Sequence, residues 1–493
     1  MFERYDFLGA NYPSYRRSEG GMTLHNKIVN SYNDNYNNEI DAVSIMEYIN
    51  YGWVLGDRTM IKGVYRVPWL SKPSEIRGWH HASINKTIID DNEDPTNRII
   101  EKTLNELRDF TAHKKIIGIL LSGGMDSRVC AAMLNKLVKI GDYCGSIVGI
   151  TWGVDGCRDV EYSKRICKTY GWENLRLPIN AELLFKNIQY SVDTGAMVSP
   201  IHFHNMDGVR KLEGIDGIIA ASYGDSMGRA EYSGKHVSKL KDLSQISQHN
   251  HYNIMNDNVF QQTKAFAKED IREYFYRKER WEDYIELDYQ AFYMRNKLQV
   301  CLNYIEDKIP LHQLFTSPDV YSYVLSLNHQ LRGDKLYENI LKRIAPELLL
   351  IPWSRTGITY GTKNKNPDQL AKNFHEYHLW IRKDLREEIE KLVFSNEVDK
   401  LKVFNMEKLK ILFNVYPRYS GNYVVPLDEI FIWIASISKL SKQYNVSFDE
   451  KIKHTCDKPM NFKSKVIFET EFKIKENYKK LYRRIGHIYK KIL

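Results

Sequence analysis

The sequence has no long hydrophobic segment. Its longest largely apolar runs are Ile116–Leu121 and Ile430–Ile437, and both are far shorter than the roughly 20 residues of a membrane-spanning helix. We therefore predict no transmembrane helix. The opening residues, MFERYDFLGA, also lack the basic region followed by an apolar region that marks a secretory signal, so we expect no secretion.

Cysteine is scarce and scattered. Six cysteines occur among 493 residues, and no two of them form a CxxC pair. Zinc ribbons and CxxC redox sites therefore lose their main support. Dispersed cysteines in a chain of this length are typical of free thiols in a reducing compartment. We predict a cytoplasmic protein whose thiols are unpaired: Cys130, Cys144, Cys157, Cys167, Cys301 and Cys456.

Positive charge is in excess in only one segment. The formal net charge is +9, and residues 463–493 hold ten Lys or Arg and three Glu, which is +7 of that total. The rest of the chain is almost neutral, so we expect no broad basic surface and no nucleic-acid partner.

The basic segment also carries an apolar series at helical spacing, which predicts an amphipathic cationic helix. Such a helix could contact an anionic membrane or an acidic polymer, or it could pack its apolar stripe on the protein body. The series consists of Tyr478, Leu481, Ile485, Ile488 and Ile492.

The composition is that of a globular protein, with 43% hydrophobic and 27% charged residues. Apolar strand patterns alternate with helical patterns between Lys115 and Ala221, which predicts an α/β fold with a parallel sheet. We predict an N-terminal arm and remnant over residues 1–105 and a nucleotide domain over 106–361. A helical insertion is expected near 231–284, and a largely helical C-terminal region over 362–493.

The most informative motif lies between the first buried strand of this pattern and the helix that follows. Ser122-Gly-Gly-Met-Asp-Ser127 offers glycine amides and hydroxyls at a helix N terminus, which suits a nucleotide phosphate. Asp126 suits a Mg²⁺ ion that bridges phosphates. The loop is not GxxxxGK[ST], so transfer of a γ-phosphate is not implied. The alternative is an ordinary turn between a strand and a helix.

This motif resembles the pyrophosphate loop of the ATP pyrophosphatases, also called PP-loop or adenine nucleotide α hydrolase-like proteins. The segment Ile116–Leu137 resembles the synthetase domain of asparagine synthetases and β-lactam synthetases. Three weaker matches follow in the family's order, and the resemblance extends from Ala42 to Gly361. They are SYGDSMG at Ser222–Gly228, IEDKIPL at Ile305–Leu311 and IPWSRTGI at Ile351–Ile358.

The resemblance implies an enzyme that uses Mg²⁺ and ATP to adenylate a carboxylate. Pyrophosphate leaves, and an amine then displaces AMP to give an amide. Asp126 and, less directly, Asp225 match the metal-holding acids, although a loop acid can also be only a turn residue. The residues that the resemblance assigns to the nucleotide are Leu121, Ser122, Gly123, Gly124, Asp126, Ser127, Thr151, Gly153 and Gly224.

Three catalytic candidates follow from the same resemblance. Tyr223 and Glu306 match a pair that accepts the proton of the amine; the alternatives are a buried structural Tyr and a Glu in an ordinary salt bridge at a helix end. Arg355 stands where the family commonly has Lys, and it can stabilise phosphate charge but cannot readily release a proton.

The front of the sequence departs from the glutamine-hydrolysing members of the family. Those members carry Cys at position 2, where this chain has Phe2. We therefore expect the amine to be ammonia, the product of a separate glutaminase, or an amino group of a second substrate. The acid is expected to be a sugar acid or a specialised metabolite. The alternatives are a tRNA-modifying PP-loop enzyme and a degenerate nucleotide-binding scaffold.

Overall fold

The computed structural model describes most of the chain. The described residues are 14–18, 21–25, 27–32, 37–73, 79–81, 94–230, 252–275, 289–362, 366–453 and 459–492. Much of the predicted helical insertion at 231–284 lies outside them, as does Cys456. The described part of that insertion contains the helix Asp257–Phe275.

Small antiparallel sheets form the N-terminal part. Strands β1 (Ser14–Ser18), β2 (Gly21–His25) and β3 (Val64–Arg66) pair in the order β2-β1-β3. Strands β4 (Ser71–Pro73) and β5 (Trp79–His81) form a separate pair.

A five-stranded parallel sheet forms the centre of the molecule. Its strands are β6 (Ile116–Leu120), β7 (Ser146–Trp152), β8 (Glu173–Leu177), β9 (Gly217–Ala220) and β10 (Leu311–Gln313). Their order is β10-β9-β6-β7-β8, and every neighbouring pair is parallel. Strand β6 lies in the middle of this order. Its apolar side chains, such as Ile117 and Ile119, are fully buried, as expected for a central strand of a parallel sheet.

Helices pack around this sheet, and most of the chain after β10 is also helical. In the first part of the chain they are α1 (Ala42–Tyr51), α2 (Thr96–Thr111), α3 (Met125–Lys139), α4 (Arg158–Tyr170), α5 (Ala181–Asp193), α6 (Met206–Arg210) and α7 (Asp257–Phe275). The later ones are Tyr289–Leu298, which is wound as a π-helix, and Gln299–Glu306, Pro318–Ser326, Asp334–Ile344, Arg386–Val393, Met406–Tyr419, Pro426–Gln443 and Phe462–Ile492. The predicted fold class, an α/β protein with a parallel sheet and a largely helical C-terminal region, is confirmed.

The helix Pro426–Gln443 connects the late helices to the rest of the core. Its Trp433 is fully buried, and the indole N–H donates to the carbonyl of Ala196, 2.8 Å away. The same ring stacks on Tyr48 of α1, with 3.9 Å between ring centroids. The helix is apolar nearly all round because it is surrounded by protein on all sides.

We find no helix in the described part of the chain that is both long enough and apolar enough to cross a membrane.

The strand order determines where a ligand site can form. Chain connections from the central strand β6 lead first to one side of the sheet, through β7 and β8, and later to the other side, through β9 and β10. A crevice therefore opens between the loops that follow β6 and β9 at the carboxyl edge, the usual binding position in open parallel sheets. The loops are those that contain Ser122 and Ser222.

Candidate functional site

The loop after β6 is held by its own hydroxyl groups. Ser127 Oγ donates to the carbonyl of Ser122 at 3.1 Å, and Ser122 Oγ accepts from the amide of Gly124, also at 3.1 Å. Gly124 caps helix α3, and no side chain closes the N terminus of that helix by a hydrogen bond. The first turn of α3 therefore presents its dipole to the crevice, as an anion site requires.

Gly123 is required by close packing. A Cβ atom at this position would lie 2.6 Å from the ring of Tyr162 and 2.8 Å from Cβ of Ser354. Its amide donates to Asp159 Oδ1 at 3.0 Å. Burial raises the pKa of the Asp159 carboxyl, and the hydrogen bond from Gly123 opposes that rise.

A buried arginine fixes this loop to a later part of the chain. Arg128 has no solvent exposure, and its guanidinium donates to the carbonyl of Gly123 at 3.2 Å. It also donates to the carbonyls of Leu348, Ile351 and Pro352 at 2.8–3.0 Å. Burial lowers the pKa of Arg128 to about 10. Arg128 therefore positions the loop and does not contact a ligand.

The carboxylate of Asp126 is paired with a second buried arginine. Arg229 Nε and Nη2 each donate to one oxygen of Asp126 at 2.9 Å, and Arg229 Nη1 reaches Asp334 at 3.2 Å. Gly224 packs directly on Asp126, because a Cβ there would lie 2.7 Å from Cβ of Asp126. Tyr337 Oη donates to the carbonyl of Gly224 at 2.8 Å.

Asp225 follows Gly224, so both predicted metal-holding acids lie at the same edge of the sheet. Among the residues that the structure describes, no group of three His, Cys, Asp or Glu side chains could hold a metal ion. Mg²⁺ commonly takes only one or two carboxylates and completes its shell with water and substrate phosphate oxygens. Asp126 and Asp225 do not form a metal site by themselves, and both oxygens of Asp126 already accept from Arg229, so their role in a nucleotide-bridged Mg²⁺ stays a prediction.

A cavity of about 330 Å³ opens beside the loop. Its floor is the carboxyl edge of β6, β7 and β9, and one wall is formed by Trp152, His204 and Phe374. His204 stacks on Trp152, with 5.4 Å between ring centroids. Five of the predicted nucleotide residues line this cavity: Leu121, Ser122, Asp126, Ser127 and Thr151.

A second cavity of about 280 Å³ adjoins the first. Asp126, Asp159 and Phe374 line both of them. The second cavity has three basic side chains, Arg229, Arg355 and Lys372, against the two carboxyl groups of Asp126 and Asp159, so its lining is basic by about one charge. Arg355 lies over the ring of Trp353 at 4.8 Å from its centroid. The predicted residues Gly124 and Arg355 thus belong to this cavity.

The remaining predicted residues lie elsewhere. Gly153 follows β7, and its carbonyl accepts two hydrogen bonds from Arg176, at 3.2 and 3.0 Å. Tyr223 is buried directly after β9, and it is not a lining residue of either cavity.

Glu306 lies at the C-terminal end of a cavity-lining helix. It ends the helix Gln299–Glu306, whose first turns line the main cavity through Cys301 and Leu302. That helix runs toward the amino edge of the sheet, where the carbonyl of Pro310 accepts from the amide of Ile218. Glu306 is not among the lining residues of either cavity, and its pairing with Tyr223 stays a prediction.

Sequence reasoning missed a buried charged cluster that reaches the main cavity. His202 lines the cavity, and its Nε2 lies 2.9 Å from Glu429 Oε1. The same oxygen accepts from Lys297 Nζ at 2.9 Å. No motif links the three residues, because they come from distant parts of the chain.

The charge states of this cluster follow from its surroundings. Burial, together with the charge of Lys297, lowers the pKa of His202, so its imidazole is neutral near pH 7. Burial alone would raise the pKa of Glu429, but Lys297 and His202 hold it well below its usual range. An ionised carboxylate accepts the Nε2 proton of a neutral imidazole, which leaves a lone pair on Nδ1 of His202.

Comparisons with known proteins identify no family. No family model matches this chain, and no curated protein matches it. Among solved structures, U34-tRNA thiolase NcsA from Methanococcus maripaludis is similar at 13% identity and a TM-score of 0.22, over 43% of this chain and 80% of that one. NMN synthetase from Francisella tularensis is similar at 14% identity and a TM-score of 0.21, over 37% and 94%.

NAD+ synthetase from Burkholderia pseudomallei is similar at 10% identity and a TM-score of 0.21, over 52% of this chain and 89% of that one. Similarities as weak as these three carry no argument about the function of this chain. The interpretation of the site therefore depends on its own geometry.

The Arg128 contacts predict a large loss of stability when they are removed. Arg128→Met should lower the free energy of unfolding by roughly 3 kcal/mol or more, because four buried carbonyls lose a charged donor. Urea unfolding followed by far-UV circular dichroism measures the change. Arg98→Met is the control, since Arg98 forms only an exposed pair with Glu101 and should change stability by less than about 1 kcal/mol. Equal losses in both variants would contradict the positioning role.

Acid should destabilise the protein through His204. Burial and then the neighbouring His202 and His375 lower its pKa from 6.5 to about 3. Between pH 6.5 and about pH 3 the unfolded state binds a proton at this position and the folded state does not. The free energy of unfolding therefore decreases as the pH is lowered through this range. His204→Phe should make this dependence shallower by about 1 kcal/mol per pH unit. Identical pH slopes in urea unfolding of the two proteins would show that His204 protonates as easily when folded.

Proposed function

We propose that this protein is a Mg²⁺- and ATP-dependent, AMP-forming ligase that joins a carboxylate to an amine. The observation that carries the proposal is the junction of two cavities at Asp126, beside the N terminus of α3. One cavity is largely apolar and aromatic, and the other is cationic. This pairing suits a nucleotide whose base and phosphates need opposite surroundings.

The loop residues bind and orient the nucleotide in this proposal. The apolar cavity beside Thr151 and Trp152 would receive adenosine. Glycine amides and the α3 dipole would hold the phosphates. Asp126 and Asp225 would hold Mg²⁺, which when bound neutralises phosphate charge. The acid attacks the α-phosphorus, and the cationic cavity with Arg229, Arg355 and Lys372 receives the departing pyrophosphate.

The proton of the amine needs an acceptor in the same cavity. The resemblance assigns that role to Tyr223 and Glu306, but neither is among the lining residues. His202 is one of them, and Glu429 orients its imidazole with Nδ1 unprotonated. We propose that His202 takes this proton as the amine nitrogen bonds to the acyl carbon and AMP leaves. A positioned imidazole contributes about a hundredfold or more to such a step.

The amine source and the acid class remain proposals from the family resemblance. We propose ammonia, the product of a separate glutaminase or an amino group of a second substrate as the amine. A sugar acid or a specialised metabolite is proposed as the carboxylate. Two cationic side chains at the mouth of the second cavity, Arg355 and Lys372, are exposed and suit an anionic substrate.

One observation favours a second candidate function, a nucleotide-binding scaffold without catalysis. Both oxygens of Asp126 are already engaged by Arg229. If Arg229 keeps this carboxylate, a nucleotide can bind while Mg²⁺ is not properly held. Turnover of ATP distinguishes the scaffold from the ligase.

Acid-dependent release of pyrophosphate tests the ligase. Purified protein with ATP and Mg²⁺ should release pyrophosphate when pools of carboxylates are supplied together with ammonium, and EDTA should abolish the release. Asp126→Asn and, separately, Asp225→Asn should lower the rate at least about a hundredfold. Asp225→Asn is included because it leaves the Asp126–Arg229 pair intact.

Asp142→Asn is the control for this experiment, because Asp142 forms only a surface pair with Arg108, and it should retain full activity. ATP binding without pyrophosphate release from any pool would support the scaffold instead. Equal activity of Asp126→Asn and the unmodified protein would contradict the proposed site.

The role of His202 is tested on the two half-reactions separately. With an acid that supports pyrophosphate release, His202→Gln should keep the acid-dependent exchange of pyrophosphate into ATP. It should lower amide formation about a hundredfold. In the unmodified protein, amide formation should rise with pH through the His202 pKa, which lies below 6.5.

The matched control is His312→Gln. His312 also lies beside a buried carboxylate, with 3.1 Å from its Nε2 to Glu106 Oε1, but it is not among the lining residues of the cavities. It should leave both half-reactions unchanged. If His202→Gln lost pyrophosphate exchange and amide formation to the same extent, His202 would have a binding role. That result would contradict its assignment as the proton acceptor.

A further inference from the structure

The helix Phe462–Ile492 rests on the protein body by only one face. Phe468 and Phe472 are buried, and the ring of Phe472 meets Tyr419 edge-on at 6.5 Å between centroids. Lys465 pairs with Glu407 at 2.6 Å on the same side. These contacts attach the first half of the helix to the helix Met406–Tyr419.

A different face of this helix exposes large apolar side chains. Their exposed fractions are 45% for Val466, 48% for Ile467, 63% for Ile474 and 67% for Tyr478. At about 100° per residue, these four lie within an arc of roughly 120°, and Phe468 and Phe472 lie outside it on the opposite side. The described part of the apolar stripe therefore faces away from the protein body.

The sequence continues this stripe with the same spacing. Leu481, Ile485, Ile488 and Ile492 fall on the arc that Val466 to Tyr478 define. Between residues 477 and 492 the helix carries six Lys or Arg and no Asp or Glu. The sequence of the second half therefore combines an apolar series at helical spacing with charge of one sign only.

This combination disfavours two occupants on physical grounds. A second copy packed in parallel would bring two sets of cations together, because the three Glu of the helix all lie in its first half, and this opposes pairing. A nucleic acid would use the cations but would leave the apolar stripe in water. An anionic lipid surface satisfies both, because headgroups attract the cations and the acyl boundary accepts the apolar side chains.

We propose that the helix Phe462–Ile492 is a docking surface for an anionic membrane. The exposed stripe that begins at Val466 enters the interface between headgroups and acyl chains, and the flanking lysines and arginines contact the headgroups. The proposal is independent of the ligase chemistry and holds whichever reaction the protein catalyses.

Vesicle co-sedimentation of the full chain tests this docking surface. The protein should bind vesicles of equal parts phosphatidylserine and phosphatidylcholine, and it should not bind phosphatidylcholine alone. High concentrations of KCl should weaken the binding, because salt screens the headgroup attraction.

Two double variants separate the apolar contribution from the electrostatic one. Ile474→Ser with Tyr478→Ser should weaken vesicle binding at least about tenfold, through lost apolar burial. Lys479→Glu with Lys480→Glu should weaken it by a similar factor. The matched controls change exposed residues elsewhere: Ile140→Ser with Leu350→Ser, and Lys164→Glu with Lys168→Glu. Both controls should bind as the unmodified protein does.

Four results would overturn the proposal. The first is the absence of binding to the phosphatidylserine vesicles. The second is binding that Ile474→Ser with Tyr478→Ser leaves unchanged, since the stripe would then not enter the lipid. The third is a dimer in sedimentation velocity, lost in that same variant, without vesicle binding; a second copy would then cover the stripe. Binding of a short DNA duplex without binding of vesicles would likewise overturn it, because the partner of the helix would then be a nucleic acid and not a lipid surface.

Discussion

The site depends above all on one buried guanidinium. Arg128 donates to the carbonyl of Gly123 in the phosphate loop and to three carbonyls between Leu348 and Pro352. These contacts press the loop that carries Trp353 and Arg355 against the first turn of α3. A buried cation without donated hydrogen bonds would be very costly, so both segments are fixed in one arrangement. The side of the second cavity that Trp353, Ser354 and Arg355 form follows from that constraint.

Two further charge clusters set the chemistry of the crevice. The pair of Asp126 and Arg229 places a neutralised carboxylate where phosphates are proposed to bind. Lys297 and His202 keep Glu429 ionised, and Glu429 in turn orients His202. Each cluster joins residues from separate helices and loops. Loss of a single partner would leave an uncompensated charge in a region of low dielectric constant.

The crevice and the surface helix are held by different contacts. The crevice lies at the carboxyl edge of the central sheet, and the helix Phe462–Ile492 contacts the body through the helix Met406–Tyr419. The described contacts of the surface helix therefore involve none of the residues that line the two cavities. A ligase docked in this way would meet acids that are themselves held at a membrane, in addition to those in solution.

The sequence by itself determined the parallel sheet and the position of the phosphate loop. Both depend on local signals: continuous apolar runs such as Ile116–Leu120, and the glycines and serines between a strand and a helix. Thr151 and Arg355, which the family resemblance singled out, each line one of the two cavities. Only the tertiary structure decided the contacts of Arg128 and the pairing of Asp126 with Arg229. It alone revealed His202, Lys297 and Glu429 as one cluster. Their contacts join residues far apart in the chain, and local spacing carries no information about which distant side chains share a buried volume.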